Sequence, residues 1–116
     1  MSTPKLFDVH THVQFHTFKE DADLVIRRAL DAEIWMINVG TQVDTSQAAI
    51  QLAEKYNEGV YATVGLHPIH TDKSFHDKNE FGGEGEAFTS RGEEFNFEEY
   101  KKLAIHSKVV GIGECG

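Results

Sequence analysis

The chain has 116 residues, 40% hydrophobic and 26% charged, the composition of an ordinary globular protein with room for one core but not two. Nineteen acidic against eleven basic side chains give a formal net charge of −8, which excludes a broad electrostatic grip on nucleic acid or on anionic membrane. A single cysteine, Cys115, excludes an internal disulfide framework and fits a reducing compartment. The start lacks the apolar stretch of a signal peptide, and no run is long enough to span a bilayer. A cytoplasmic location with no membrane partner is therefore expected, and no specific protein partner is implied.

Residues 6–10 are predicted to form the first strand, which runs into Asp8-Val9-His10-Thr11-His12. On an extended segment side chains alternate faces, so Asp8, His10 and His12 are expected on one side. Two imidazoles separated by one residue can reach a single metal ion, with Asp8 placed to orient or supplement them. The competing reading is a polar strand face whose histidines only hydrogen-bond. It would gather three ionisable groups on one face of a first strand, which is costly to bury without a cation.

Thr17 and Glu20 have the spacing of a capping box, opening a helix whose apolar face is Ala22, Val25, Ile26 and Ala29. Residues 34–39 are an apolar run broken only by Asn38 and ended by Gly40, which suits a strand covered on both faces. Asp44 and Gln47 are expected to cap a second helix with Ala49, Leu52, Ala53 and Tyr56 inward, stopped by Asn57 and Gly59. Residues 60–66 form the next strand, leading into Gly65-Leu66-His67-Pro68. Asn96 and Glu99 cap a third helix carrying Phe97, Tyr100, Leu103 and Ala104, and residues 109–113 form a last strand with Glu114 at its end. Alternation of this kind implies an α/β fold with a parallel sheet of four strands and three helices.

Between the third strand and third helix, residues 73–95 are polar, glycine-rich and without periodicity, yet carry Phe75, Phe81, Phe88 and Phe95. A solvated insertion pinned by aromatics and a lid over a site both fit this pattern. Its cations, Lys73, Lys78 and Arg91, are read as solvated.

Glu114, between Gly113 and Cys115 at the C-terminal end of a parallel strand, points to the crevice where α/β sites form, and could bridge two metal ions with His10 and His12. An edge carboxylate paired with lysine is the alternative. His67 and His70 flank Pro68, which biases the chain before it toward extended geometry. His67 is expected in the site, and His70 either there or on a surface loop. His16, His76 and His106 are read as solvent-facing, and Cys115 as a small apolar residue buried in the sheet. No phosphate-cradling glycine loop with Lys-Ser/Thr, no G-x-S-x-G elbow and no paired-cysteine zinc site is present.

Three elements together, Phe7-Asp8-Val9-His10-Thr11-His12, Thr63-Val64-Gly65-Leu66-His67-Pro68 and Val110-Gly111-Ile112-Gly113-Glu114-Cys115-Gly116, resemble the TatD family of metal-dependent hydrolases in content, order and separation. The first element alone is shared with the wider amidohydrolases and with PHP-type phosphoesterases; the other two make the match specific. The resemblance implies a (β/α)8 TIM barrel and a DNase or related phosphodiesterase activity supported by two divalent ions (Mg, Mn or Zn), on DNA or a small phosphodiester. It carries metal ligation onto His10, His12 and Glu114, with Glu114 as the bridge, and a site position onto His67. His67 and Asp8 are expected to be the catalytic residues, Asp8 supporting the metals either from behind the ligands or as a ligand itself. Two departures stand out: Ile69 intervenes before His70, where the family pattern has histidine directly after proline, and residues 73–95 are an insertion. A barrel of this kind needs roughly 250 residues. The chain accordingly reads as residues 1–116 of the N-terminal half of one barrel domain, expected to be inactive alone. A PHP-like phosphatase, an amidohydrolase and a non-catalytic binding module are the alternatives.

Overall fold

A computed structural model describes residues 2–71, 75–76, 88–89 and 92–115. Chain order is β1 (Leu6–Thr11), α1 (Ala22–Asp31), β2 (Ile34–Val39), α2 (Val43–Glu54), β3 (Val60–Val64), β4 (Phe75–His76), β5 (Phe88–Thr89), α3 (Phe97–Ala104) and β6 (Val109–Ile112). The main sheet has the order β1-β2-β3-β6, every neighbouring pair parallel. Sequential strands lying side by side, each joined to the next through a helix, is the arrangement that opens a β/α barrel. The expected α/β class, with four parallel strands and three helices, is the observed one.

Packing follows the period-two and period-3.6 patterns. Met36, Val60, Ala62 and Val64 face the helices and are buried. Ile26 of α1 and Leu52, Ala53 and Tyr56 of the α2 region close over Met36 and Val60, with Ala22, Val25 and Ala29 beside them. Ala49, Ile50 and Tyr100 close over Ala62 and Val64. On the other face Phe7, Trp35 and Tyr61 form an aromatic layer with each pair of ring centroids 6.0 Å apart. That face is only half-buried at Trp35 and Ile37, so β2 is not covered on both sides as expected.

Helix starts depart from the sequence reading. Thr17 lies inside a short 3-10 turn (His16–Phe18) that brings Phe18 onto the core, and α1 begins later, after Asp21. In α2 the capping residue is Gln42: Thr45 Oγ1 accepts the N–H of Gln42 and of Thr41, each at 2.9 Å, while Asp44 sits in the first turn. The α3 cap is as expected, with Asn96 Oδ1 accepting the Glu99 N–H at 3.1 Å. Phe97 is 62% exposed rather than inward, beneath the Lys101 ammonium. Within 73–95 an antiparallel pair, Phe75–His76 with Phe88–Thr89, is present where no strand was expected. The lid reading, Phe81, Lys73, Lys78 and Arg91 lie outside the described residues. Phe95 stacks on Tyr100 at 5.1 Å.

Candidate metal centre

The C-terminal ends of β1, β3 and β6 converge. Gly40 N–H donates to Thr63 O at 3.0 Å, Gly113 N–H to Val64 O at 2.9 Å, and Glu114 N–H to Gly40 O at 2.8 Å. Fully buried Ser46 fixes the neighbouring turn, its Oγ accepting the Gly65 N–H at 3.2 Å. Gly65 itself must lack a side chain, since a Cβ there would stand 2.7 Å from the Gly113 carbonyl carbon. These bonds set Glu114 at the mouth of the sheet, opposite β1.

In β1, Asp8 pairs with Met36 and Thr11 with Asn38, three steps against two. The resulting bulge breaks the expected alternation of Asp8, His10 and His12. His10 and His12 stay together, their ring centroids 5.1 Å apart. Asp8 turns back instead, its Oδ1 accepting the His10 N–H at 3.2 Å. Asn38 anchors the far side of the bulge. Wholly buried, its Oδ1 accepts from the Val13 N–H at 2.8 Å and the Thr11 hydroxyl at 2.6 Å.

Glu114 gathers three imidazoles. Its Oε2 lies 3.2 Å from His10 Nε2 and 3.8 Å from His12 Nε2, and its Oε1 lies 3.3 Å from His67 Nε2. One donor atom each of His10, His12 and Glu114 fall within 4.8 Å of one another. The ring nitrogens are not equivalent. His12 Nδ1 donates to the Val39 carbonyl at 2.9 Å, which leaves Nε2 as the lone-pair nitrogen facing Glu114. Burial lowers the His12 pKa from its ordinary value, with His10 and His67 adding to the effect against the Val39 carbonyl and Glu114. At neutral pH His12 is therefore the neutral imidazole that ligation needs. Phe15 stacks on its ring at 4.4 Å and holds the plane.

His67 has the opposite tautomer. Its Nδ1 accepts the Ile69 N–H at 3.1 Å, so the proton sits on Nε2 and is donated toward Glu114. Two imidazoles and a carboxylate form a set suited to zinc, manganese or iron, and the fixed tautomer of His12, with its Nε2 lone pair free, fits such an ion. His67 enters the same cluster as a hydrogen-bond donor.

Other expectations come out differently. His70 is 4% exposed, not on a surface loop, in a 3-10 turn (Pro68–His70). Cys115 is exposed rather than buried, because β6 ends before it. His106 is half-buried, its Nε2 2.7 Å from Glu54 Oε1. The side chain of His76 lies outside the described residues. Sequence reasoning passed over the Val39 carbonyl, which no side-chain pattern can signal. Asn38, an amide inside an apolar run, was the available signal for the bulge anchor.

A family model described as TatD related DNase matches residues 7–116. The chain is 32% identical over 112 residues to the 3′-5′ ssDNA/RNA exonuclease TatD of Erwinia tasmaniensis, and 33% identical to that of Erwinia billingiae. It is 30% identical over 112 residues to YabD, an uncharacterized metal-dependent hydrolase of Bacillus subtilis. Each alignment covers 96% of this chain and 36% of the relative, so the chain spans little more than a third of the length of these proteins.

Proposed function

The chain belongs to the family of TatD-related DNases, and from that membership and the His10, His12 and Glu114 cluster we propose that it forms part of a divalent-metal-dependent phosphodiesterase. Residues 1–116 are read as the N-terminal half of one barrel domain, since strand order β1-β2-β3-β6 is that of consecutive β/α units and the relatives are far longer. DNA, single-stranded DNA or RNA as for the named exonucleases, is the proposed substrate, and the cytoplasm the proposed location. Among the described residues no helix is long and apolar enough to cross a membrane.

The single observation that carries this reading is the convergence of His10, His12 and Glu114 donor atoms within 4.8 Å. These residues would hold the metals, with Glu114 as the shared ligand, and later strands of the whole protein would complete the set. When bound, such ions activate a water at neutral pH and neutralise charge on the phosphate. The protein's own contribution is positional. Asp8 holds the His10 backbone, Val39 fixes the His12 tautomer, and Phe15 fixes its plane. His67 directs its Nε2–H at Glu114 and so orients that carboxylate, the role of a hydrogen-bond donor beside the reacting centre.

The test joins this chain to the remaining β/α units of a relative and follows 3′-labelled single-stranded DNA with and without chelator. Metal-dependent cleavage that is lost in His10→Ala/His12→Ala supports the reading. Cleavage indifferent to both would overturn it. Including a phosphomonoester and a cyclic amide separates a nuclease from a PHP-like phosphatase or an amidohydrolase.

A further inference from the structure

We propose that Glu93 is a positioning residue for His67, a clamp that ties the turn carrying this histidine to the N-terminus of α2. Glu93 stands 50 residues from Val43 in sequence, yet its Oε1 accepts the Val43 N–H at 3.0 Å, the first donor of α2. Its Oε2 accepts from the Tyr100 hydroxyl in a short hydrogen bond. Its own N–H donates to the His70 carbonyl at 2.7 Å. From there the path to His67 is continuous: the His70 N–H donates to His67 O at 2.9 Å, and the His67 N–H donates to Thr41 O at 2.9 Å.

Two connections therefore run between the β2–α2 turn and the 3-10 turn. One is the direct Thr41–His67 bond, and the other passes through Glu93. Together they fix the short turn in which Ile69 N–H meets His67 Nδ1, and so fix which ring nitrogen carries the proton. Negative charge at a helix N-terminus is also favourable, which suits Glu93 to its place beside Val43. Burial, then the Glu93 carboxylate, raises the Tyr100 pKa well above its ordinary value, so the hydroxyl remains a donor throughout the physiological range. A carboxylate on a merely solvated loop would need none of these partners.

This inference rests on His67 belonging to the site, so its test reads His67 directly and needs no turnover. The histidine ring nitrogens of the 116-residue chain are observed by NMR at a pH of about 8, where ordinary imidazoles are neutral. Wild type is expected to show a protonated Nε2 and a bare Nδ1 for His67. In Glu93→Ala the two signals should move toward each other as the tautomers average. Exchange protection of the Val43 amide should fall about 10- to 100-fold, the loss of one charge-assisted hydrogen bond. Glu93→Gln, which keeps a carbonyl oxygen for Val43, should restore most of the His67 pattern. His106, whose Nδ1 accepts the Lys108 N–H at 3.0 Å, serves as the internal control and should not move.

An unchanged His67 pattern in folded Glu93→Ala overturns the clamp, as does a change that His106 shares equally. If Glu93→Ala does not fold, Tyr100→Phe decides: a partial shift confined to His67 supports the proposal, and none overturns it. A failed nuclease assay with the expected NMR result would remove the proposed function and leave the clamp standing.

Discussion

Glu114 Oε2 lies 3.2 Å from His10 Nε2 although 104 positions separate the two residues in the chain. The carboxylate reaches β1 because β6 is delivered beside β3, and the Glu114 N–H is held by Gly40 at the end of β2. Four strand ends thus cooperate to make one donor set. Calorimetric titration of the 116-residue chain with zinc or manganese is expected to show one binding event. His12→Ala and Glu114→Gln should each weaken it by more than the roughly 10- to 100-fold that even an outer-shell change costs. His106→Ala should leave it intact. Equal affinities across the three variants would show that the cluster is only a hydrogen-bonded patch.

Gly65 controls the same delivery from the backbone side. A Cβ on Gly65 would lie 2.7 Å from the Gly113 carbonyl carbon and 2.8 Å from its oxygen, and neither atom can swing aside as a side chain could. Gly65→Ala should push the end of β6 away, at a cost of about 1–3 kcal/mol as in other overpacked sites. Metal affinity should drop with it, because Glu114 is the next residue. Gly111→Ala meets only Thr63 Cγ2, at 3.4 Å, and should cost far less. Denaturant melts of both variants, with metal titrations alongside, check the contrast.

The strands and the inward faces of α1 and α2 were legible in the sequence because each depends on a local period that burial alone satisfies. His10, His12 and Glu114 were legible because ligand-type residues at the C-terminal ends of parallel strands have few other uses. What stayed hidden was set by partners distant in the chain. Asp44 was expected to cap α2, but Glu93 reaches the Val43 N–H from 50 residues away and Thr45 holds Gln42. The bulge that removes Asp8 from the cluster arises from the pairing of β1 with β2, where Asn38 takes two donors from the shifted strand. Cys115 and Phe97 were expected inside on residue type and spacing alone, and both are exposed.

Asn38 offers the sharpest test of that bulge. Asn38→Leu preserves bulk but removes the oxygen that accepts the Val13 N–H at 2.8 Å. Thr11 has a second acceptor in the Ile37 carbonyl at 3.1 Å, whereas the Val13 amide has no other bond among the described residues. The expected loss is therefore that of one buried unsatisfied donor, about 1–3 kcal/mol. Urea unfolding of Asn38→Leu against wild type measures it. A change near zero would mean that Val13 finds water or that the bulge relaxes at no cost.

Tyr56 is expected to weaken the fold in alkali. It is buried beneath α1, and its hydroxyl donates to Asp23 Oδ1 at 2.5 Å. Burial first, and then that hydrogen bond, push its pKa from 10.0 up to about 12. Between those values the unfolded chain has already released the phenolic proton while the folded chain keeps it. The unfolded state then binds fewer protons, so stability falls as pH rises through this window, and the full contribution is present below it. Tyr56→Phe abolishes both the titration and the bond. The variant should melt lower at neutral pH, by the equivalent of about 1 kcal/mol, yet lose less than wild type on going to strong alkali. Tyr100, whose pKa is also raised, contributes to both proteins and cancels in the comparison. Melting curves of the two proteins should therefore converge as pH rises above 10. Curves that fall in parallel would show that Tyr56 ionises as freely in the folded chain as in the unfolded one.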